Sequence, residues 1–111
     1  MEKQANRRQN ASSRTKVGAE KAGVFSLGKR YGAELLDSGK GGIGIKVPLS
    51  VIGKIMVGSE VEVEFFLCNT FLRDTFRVCS NDGNRIGLMY SDGKNFSPQQ
   101  RVSEWRRKQS Q

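Results

Sequence analysis

Glu60-Val61-Glu62-Val63-Glu64-Phe65 alternates acid and hydrocarbon without a break over residues 60–65. Successive side chains of an extended chain point to opposite faces, so Val61, Val63 and Phe65 share one face and the three glutamates share the other. The segment is a strand with one side buried and one side in water. Further on, Leu72, Phe76 and Val78 take one face of residues 71–79 and Arg73, Thr75 and Arg77 the opposite one, with Asp74 as a single polar residue on the apolar side. A turn centred on Cys68-Asn69 joins the two segments as a hairpin in which Glu64 faces Arg73 and Glu60 faces Arg77. Such cross-strand ion pairs are worth about half a kcal/mol or less each. Asn81-Asp82-Gly83 is a strong turn signal, and residues 85–90 return as the third strand of a meander.

Past this meander, Ser97-Pro98-Gln99-Gln100-Arg101 sets a capping hydroxyl before a proline at the first helical position, which predicts a helix from 98 to about 108. Val102 and Trp105 are spaced to dock it, and Arg106, Arg107 and Lys108 suit the negative end of the helix dipole. Ahead of the meander, residues 17–27, 30–36 and 43–47 read as three further strands, the last strongly β-branched and ended by Pro48. Residues 49–56 form an apolar connection that packs as a short crossover. Residues 1–16 are polar and basic with neither hydrophobic period, and are expected to form a mobile arm that orders on binding. The fold class is mainly β, with one domain over 17–111.

The 111 residues carry a formal charge of +8, distributed unevenly. Residues 1–30 net +6 and residues 94–111 net +4, whereas residues 31–93 net −2. A body of that charge is not a platform for duplex phosphates, so nucleic acid is not the expected partner. No run approaches the roughly 20 apolar residues needed to span a bilayer, and no secretory signal opens the chain, so membrane insertion is not expected and the cytoplasm is. Cys68 and Cys79 lack metal-ligand spacing and there is no histidine. No metal is expected, and the two thiols read as reduced packing residues on strands. Without histidine the common general base and nucleophile pairs are missing too, so no enzyme is expected.

The segment with most bearing on ligands is residues 37–45, Asp-Ser-Gly-Lys-Gly-Gly-Ile-Gly-Ile. Asp37 can accept from a donor edge. Gly39, Gly41, Gly42 and Gly44 permit positive φ and leave amides open to an anionic or planar ligand, and a tight turn between two strands is the plainer alternative. Gly39-Lys40-Gly41-Gly42-Ile43-Gly44 also has the spacing of a dinucleotide fingerprint. That fingerprint must open a helix, whereas residues 43–47 are a strand running into Pro48.

The whole layout of basic arm, short strands, acid-led glycine loop, meander and terminal helix resembles the PilZ-domain family. The resemblance implies a small six-stranded antiparallel β-barrel with a C-terminal helix. It also implies cyclic di-GMP as ligand, in one or two molecules, held by an Arg-x-x-x-Arg arm and an Asp/Asn-x-Ser-x-x-Gly loop. Asp37 and Gly42 match the loop motif, and Gly39 stands at the serine position. The arm has no Arg-x-x-x-Arg: Arg8 meets Ser12 at that spacing, and Arg14 meets Asn10. The motif carries over to Arg8 and Arg14 with two residues looped out, Arg7 substituting for either. The implied ligand-binding set is thus Arg7, Arg8, Arg14, Asp37, Gly39, Lys40, Gly41 and Gly42, with Asp37 accepting from a guanine edge and the arginines holding phosphates and stacking on a base. The ordered arm would signal to a protein effector. Two alternatives stay open: a degenerate PilZ-like adaptor acting by protein contacts alone, and a small barrel binding single-stranded nucleic acid. The second needs exposed aromatics among Phe25, Tyr31, Phe71 and Tyr90.

Overall fold

The computed structural model describes residues 15–110, with side chains from Lys21 onward. Its strands are β1 (Thr15–Ser26), β2 (Lys29–Ser38), β3 (Gly42–Lys46), β4 (Glu60–Leu67), β5 (Thr70–Asn81) and β6 (Ile86–Tyr90). A one-turn helix α1 (Leu49–Ile52) links β3 to β4, and α2 (Pro98–Gln109) follows β6. The strands close into an antiparallel barrel in the order β1-β2-β3-β6-β5-β4. The expected six-stranded barrel with a C-terminal helix is therefore the observed fold. β1 begins at Thr15, two residues ahead of the expected boundary, because Thr15 and Lys16 find partners in Ser38 and Asp37. Residues 1–14 of the expected arm, with Arg7, Arg8 and Arg14, lie outside the described residues.

The β4–β5 hairpin has the register that a turn at Cys68-Asn69 predicts, Glu60 opposite Arg77 and Glu64 opposite Arg73. Cys68 and Asn69 turn it with φ of 51° and 60°, the left-handed pair that matches the twist of a two-residue hairpin. The ion pairs differ from those expected. Arg73 reaches diagonally to Glu62, at 2.6 Å, and lies 4.0 Å from the centre of the Phe25 ring. Glu64 is taken instead by Arg30, at 3.0 Å, whose guanidinium crosses over β1 at Gly23. A Cβ on Gly23 would sit 2.5 Å from that guanidinium, so the glycine supplies the crossing point.

Alternation supplies the core. Val24, Leu35, Ile43, Ile45, Val63, Phe65, Phe76 and Leu88 all point inward and are buried. Phe76 packs edge-on to Phe65 with centroids 5.7 Å apart and lies 4.6 Å from the Tyr90 ring. The apolar connection after β3 buries Val51 and Ile55 under one end of the barrel. Asn81 fastens it there, its Nδ2 donating to the carbonyl oxygens of Ile52 and Ile55 at 3.0 Å each. At the other end α2 starts with a capping box: the Gln100 N–H donates to Ser97 Oγ, and the Ser97 N–H donates to Gln100 Oε1.

Val102 is buried under α2 and Trp105 half-buried, but the residue that pins the helix is Arg101. Its side chain is only 4% exposed and donates to both oxygens of Asp92, at 2.6 and 3.2 Å, and to the Lys94 carbonyl at 2.7 Å. The guanidinium also lies 3.5 Å from the Tyr90 ring centre, with Asp74 3.8 Å away. Asp74, the odd polar residue of β5, thus faces the buried cation. Burial raises the Asp74 pKa despite that neighbour.

The cysteines are not packing residues. Both are exposed, Cys68 in the hairpin turn and Cys79 on the outer face of β5. The ring is uneven as well: β1 meets β4 over three pairs, Gly23 with Glu64, Val24 with Val63 and Phe25 with Glu62.

Candidate functional site

Asp37 sits where β2 departs from regular pairing on both sides. Its register with β3 shifts between Leu35 and Asp37, and its register with β1 shifts between Lys16 and Glu20. A bulge re-aims side chains. Leu35 and Ser38 both stay buried, while Asp37 turns to the outer face opposite Gly44.

There the carboxylate meets Arg85, which no pattern in the sequence marked as a site residue. Arg85 Nη1 donates to Asp37 Oδ2 at 2.5 Å and Nη2 to Oδ1 at 3.1 Å, a two-pronged charge-assisted pair. The bond to Asp37 raises the Arg85 pKa above its ordinary value. The guanidinium lies directly over Gly44, where a Cβ would stand 2.5 Å from it. Arg85 leaves the β5–β6 turn, whose Asp82 Oδ1 accepts from the Asn84 and Arg85 N–H groups at 2.9 and 2.8 Å. Those two bonds also lower the Asp82 pKa.

The glycine loop works differently from the sequence expectation. Among the described residues, the glycines with positive φ are Gly28, Gly58, Gly83 and Gly93, so Gly39, Gly41, Gly42 and Gly44 hold ordinary backbone angles. Their smallness matters through close approach instead. A Cβ on Gly42 would fall 1.9 Å from the Leu88 carbonyl oxygen, so only glycine lets β3 lie against β6 there. The Gly39 N–H is spent inside the loop on the Gly42 carbonyl at 2.9 Å, and the Gly41 carbonyl accepts from Tyr90 N–H at 3.0 Å. Gly39 is buried, whereas Lys40 and Gly41 are exposed at the tip. The loop thus brings Asp37, Lys40 and Gly41 to one surface and uses Gly39 and Gly42 to build it.

Further along the same strands lies a groove of about 490 Å³, lined among others by Lys21, Arg30, Gly32, Glu34, Lys46 and Pro48. Lys21 stands opposite Glu34, and Glu34 opposite Lys46, so the groove crosses the outer face of β1, β2 and β3. Gly32 has open space where a side chain would stand. Three cations against one carboxylate make the groove basic, and its volume is that of a small-molecule site. The arm joins this region, since Thr15, the first residue of β1, pairs with Ser38, next to Asp37.

Exposed aromatic surface lies elsewhere. Tyr90 is buried and Phe25 and Tyr31 are half-buried, while Phe71 is exposed against Phe66 with ring centroids 4.9 Å apart. Among the described residues, no three histidine, cysteine, aspartate or glutamate side chains group as a metal site, and no helix is long and apolar enough to cross a membrane.

No family model matches the chain, and no curated protein does. Among solved structures, the fold is similar to that of the Borreliella burgdorferi PlzA protein, crystallised in complex with c-di-GMP, with a TM-score of 0.50 at 15% sequence identity. The match covers 73% of this chain and 29% of that one, so the chain spans less than a third of the length of PlzA. The likeness is one of fold, and the barrel is PilZ-like.

Proposed function

We propose that the chain is a cyclic di-GMP receptor that passes the signal to a protein effector in the cytoplasm. The observation that carries this is the convergence of Asp37, the exposed loop tip and the start of β1 on one outer face beside a basic groove. The PilZ-like fold supports it, PlzA having been crystallised with this dinucleotide. In this mechanism the Asp37 carboxylate accepts from the N1–H and N2–H edge of a guanine, and Lys40 with Lys21 and Lys46 draws the two phosphates. Gly41 and Gly44 leave the ring plane room to approach. Arg7, Arg8 and Arg14 close over one or two ligand molecules, and the change in the arm is what the effector detects.

A second reading, an adaptor that acts by protein contacts alone, is favoured by one observation: Arg85 already holds the Asp37 carboxylate. Isothermal titration calorimetry of cyclic di-GMP, with cyclic di-AMP and GTP as controls, separates the two. Selective binding that weakens at least about tenfold in Asp37→Ala is the expected result, from the loss of a charge-assisted pair of hydrogen bonds. Absence of heat at high ligand concentration would leave the adaptor.

A further inference from the structure

We infer that Arg85 is an internal occupant of the guanine-recognition edge and sets the affinity of the site. The inference rests on the receptor function proposed above. A guanidinium presents two adjacent, coplanar N–H donors, and the Watson–Crick edge of guanine presents N1–H and N2–H in the same manner. Arg85 Nη1 and Nη2 each take one oxygen of Asp37, so the side chain forms the bonds a guanine would form. Gly44 beneath it is the gap in the sheet that admits a flat group, since a Cβ there would stand 2.5 Å from the guanidinium.

The occupant is also built to leave. Its backbone is tethered through the Arg85 N–H to Asp82, but the side chain is 36% exposed and crosses Gly44 without being enclosed. Exchange needs only side-chain rotation, with no strand moved. A guanine must therefore displace Arg85 to reach Asp37, and observed affinity is reduced by the fraction of molecules in which the edge is taken. An ion pair of this exposure is worth about 0.6 kcal/mol, which corresponds to a reduction of roughly 3-fold. The guanidinium released by the exchange stays beside a ligand carrying two negative charges.

The test is calorimetric titration of cyclic di-GMP into wild type, Arg85→Lys and Arg85→Met, each checked for folding by circular dichroism. Lysine keeps the positive charge and loses the fork. Arg85→Met keeps much of the stem and loses every donor, so either variant serves should the other not fold. Binding about 3-fold tighter than wild type in the folded variants is the expected result. Measurable binding in a variant where wild type shows none would support the inference more strongly. Equal or weaker binding beside a wild type that binds overturns the occupancy and leaves the receptor standing, and no binding in any of the three overturns both.

Discussion

Arg85 and Arg101 use the same chemistry in opposite ways. Each grips one carboxylate with two nitrogens, Asp37 in the first case and Asp92 in the second. Arg101 is 4% exposed, carries a third bond to the Lys94 carbonyl and lies on the face of Tyr90, so nothing can replace it without loosening α2. Arg85 is 36% exposed and rests over a glycine. The contrast teaches that the pairing itself does not reveal whether an arginine is structural or exchangeable; enclosure does.

The largest effect should come from removing the enclosed cation. Arg101→Leu is expected to cost about 3 kcal/mol in urea unfolding, because Asp92 and Asp74 lose a buried counter-charge together with the stacking on Tyr90. A loss below about 1 kcal/mol would place Arg101 with Arg85. Next in size is the contrast between two glycines. Gly42→Ala is expected to cost about 3 kcal/mol, since its Cβ would meet the Leu88 carbonyl, fixed backbone. Gly44→Ala should cost under about 1 kcal/mol, because what its Cβ meets is the end of a flexible side chain.

A smaller effect lies in pH. Burial alone would raise Asp92, but the Arg101 bonds and the Lys94 N–H outweigh it, so its folded pKa lies below the ordinary value. Its contribution is present above the unfolded pKa of about 3.9 and is lost as pH falls through the folded one. Asp74 is raised by burial, so its contribution runs the other way and is lost as pH rises through the folded value. Near neutral pH, Asp92→Asn should therefore destabilise by about 1 kcal/mol, while Asp74→Asn should be neutral or stabilising. In thermal melts the Asp74 difference should vanish below the unfolded value of about 3.9, and the Asp92 difference should persist further, fading as pH falls through its lowered folded value. The smallest effect expected is from Arg73→Ala, whose pair with Glu62 is exposed on both sides and worth about half a kcal/mol or less.

The strands were legible because alternation is local: Val61, Val63 and Phe65 declare their face within six residues, and Cys68-Asn69 fixed the hairpin register without knowledge of the barrel. The cap of α2 was legible for the same reason, with Ser97 and Gln100 three apart. Arg85 was not, because its partner is 48 residues away and the gap it crosses comes from a third strand. A sign was present in Gly44 and Gly87, which stand opposite each other on β3 and β6. Glycines paired in mid-sheet mean that something else occupies their face. Asp74 gave a similar sign, since a charge on the apolar side of a strand asks for a buried partner, and Arg101 is that partner. The loop glycines were read for φ, when Gly42 was needed for contact between strands.

The short meeting of β1 with β4 bears on how the molecule assembles. The β4–β5–β6 meander and the β1–β2 hairpin pair residues near in sequence, so their loops close at low entropic cost and form early. Two long closures remain, β3 to β6 and β1 to β4, each joining residues about 40 apart. Their entropic costs are nearly equal, and the second is secured by three residue pairs against four for the first. The β1–β4 seam should then be the last to zip and the first to part, with amides at 23–25 exchanging hydrogen ahead of those in the β5–β6 ladder. The strand that parts there is β1, whose first residues, Thr15 and Lys16, stay paired with Ser38 and Asp37 on β2, so the seam can open without releasing the point where the chain enters the barrel.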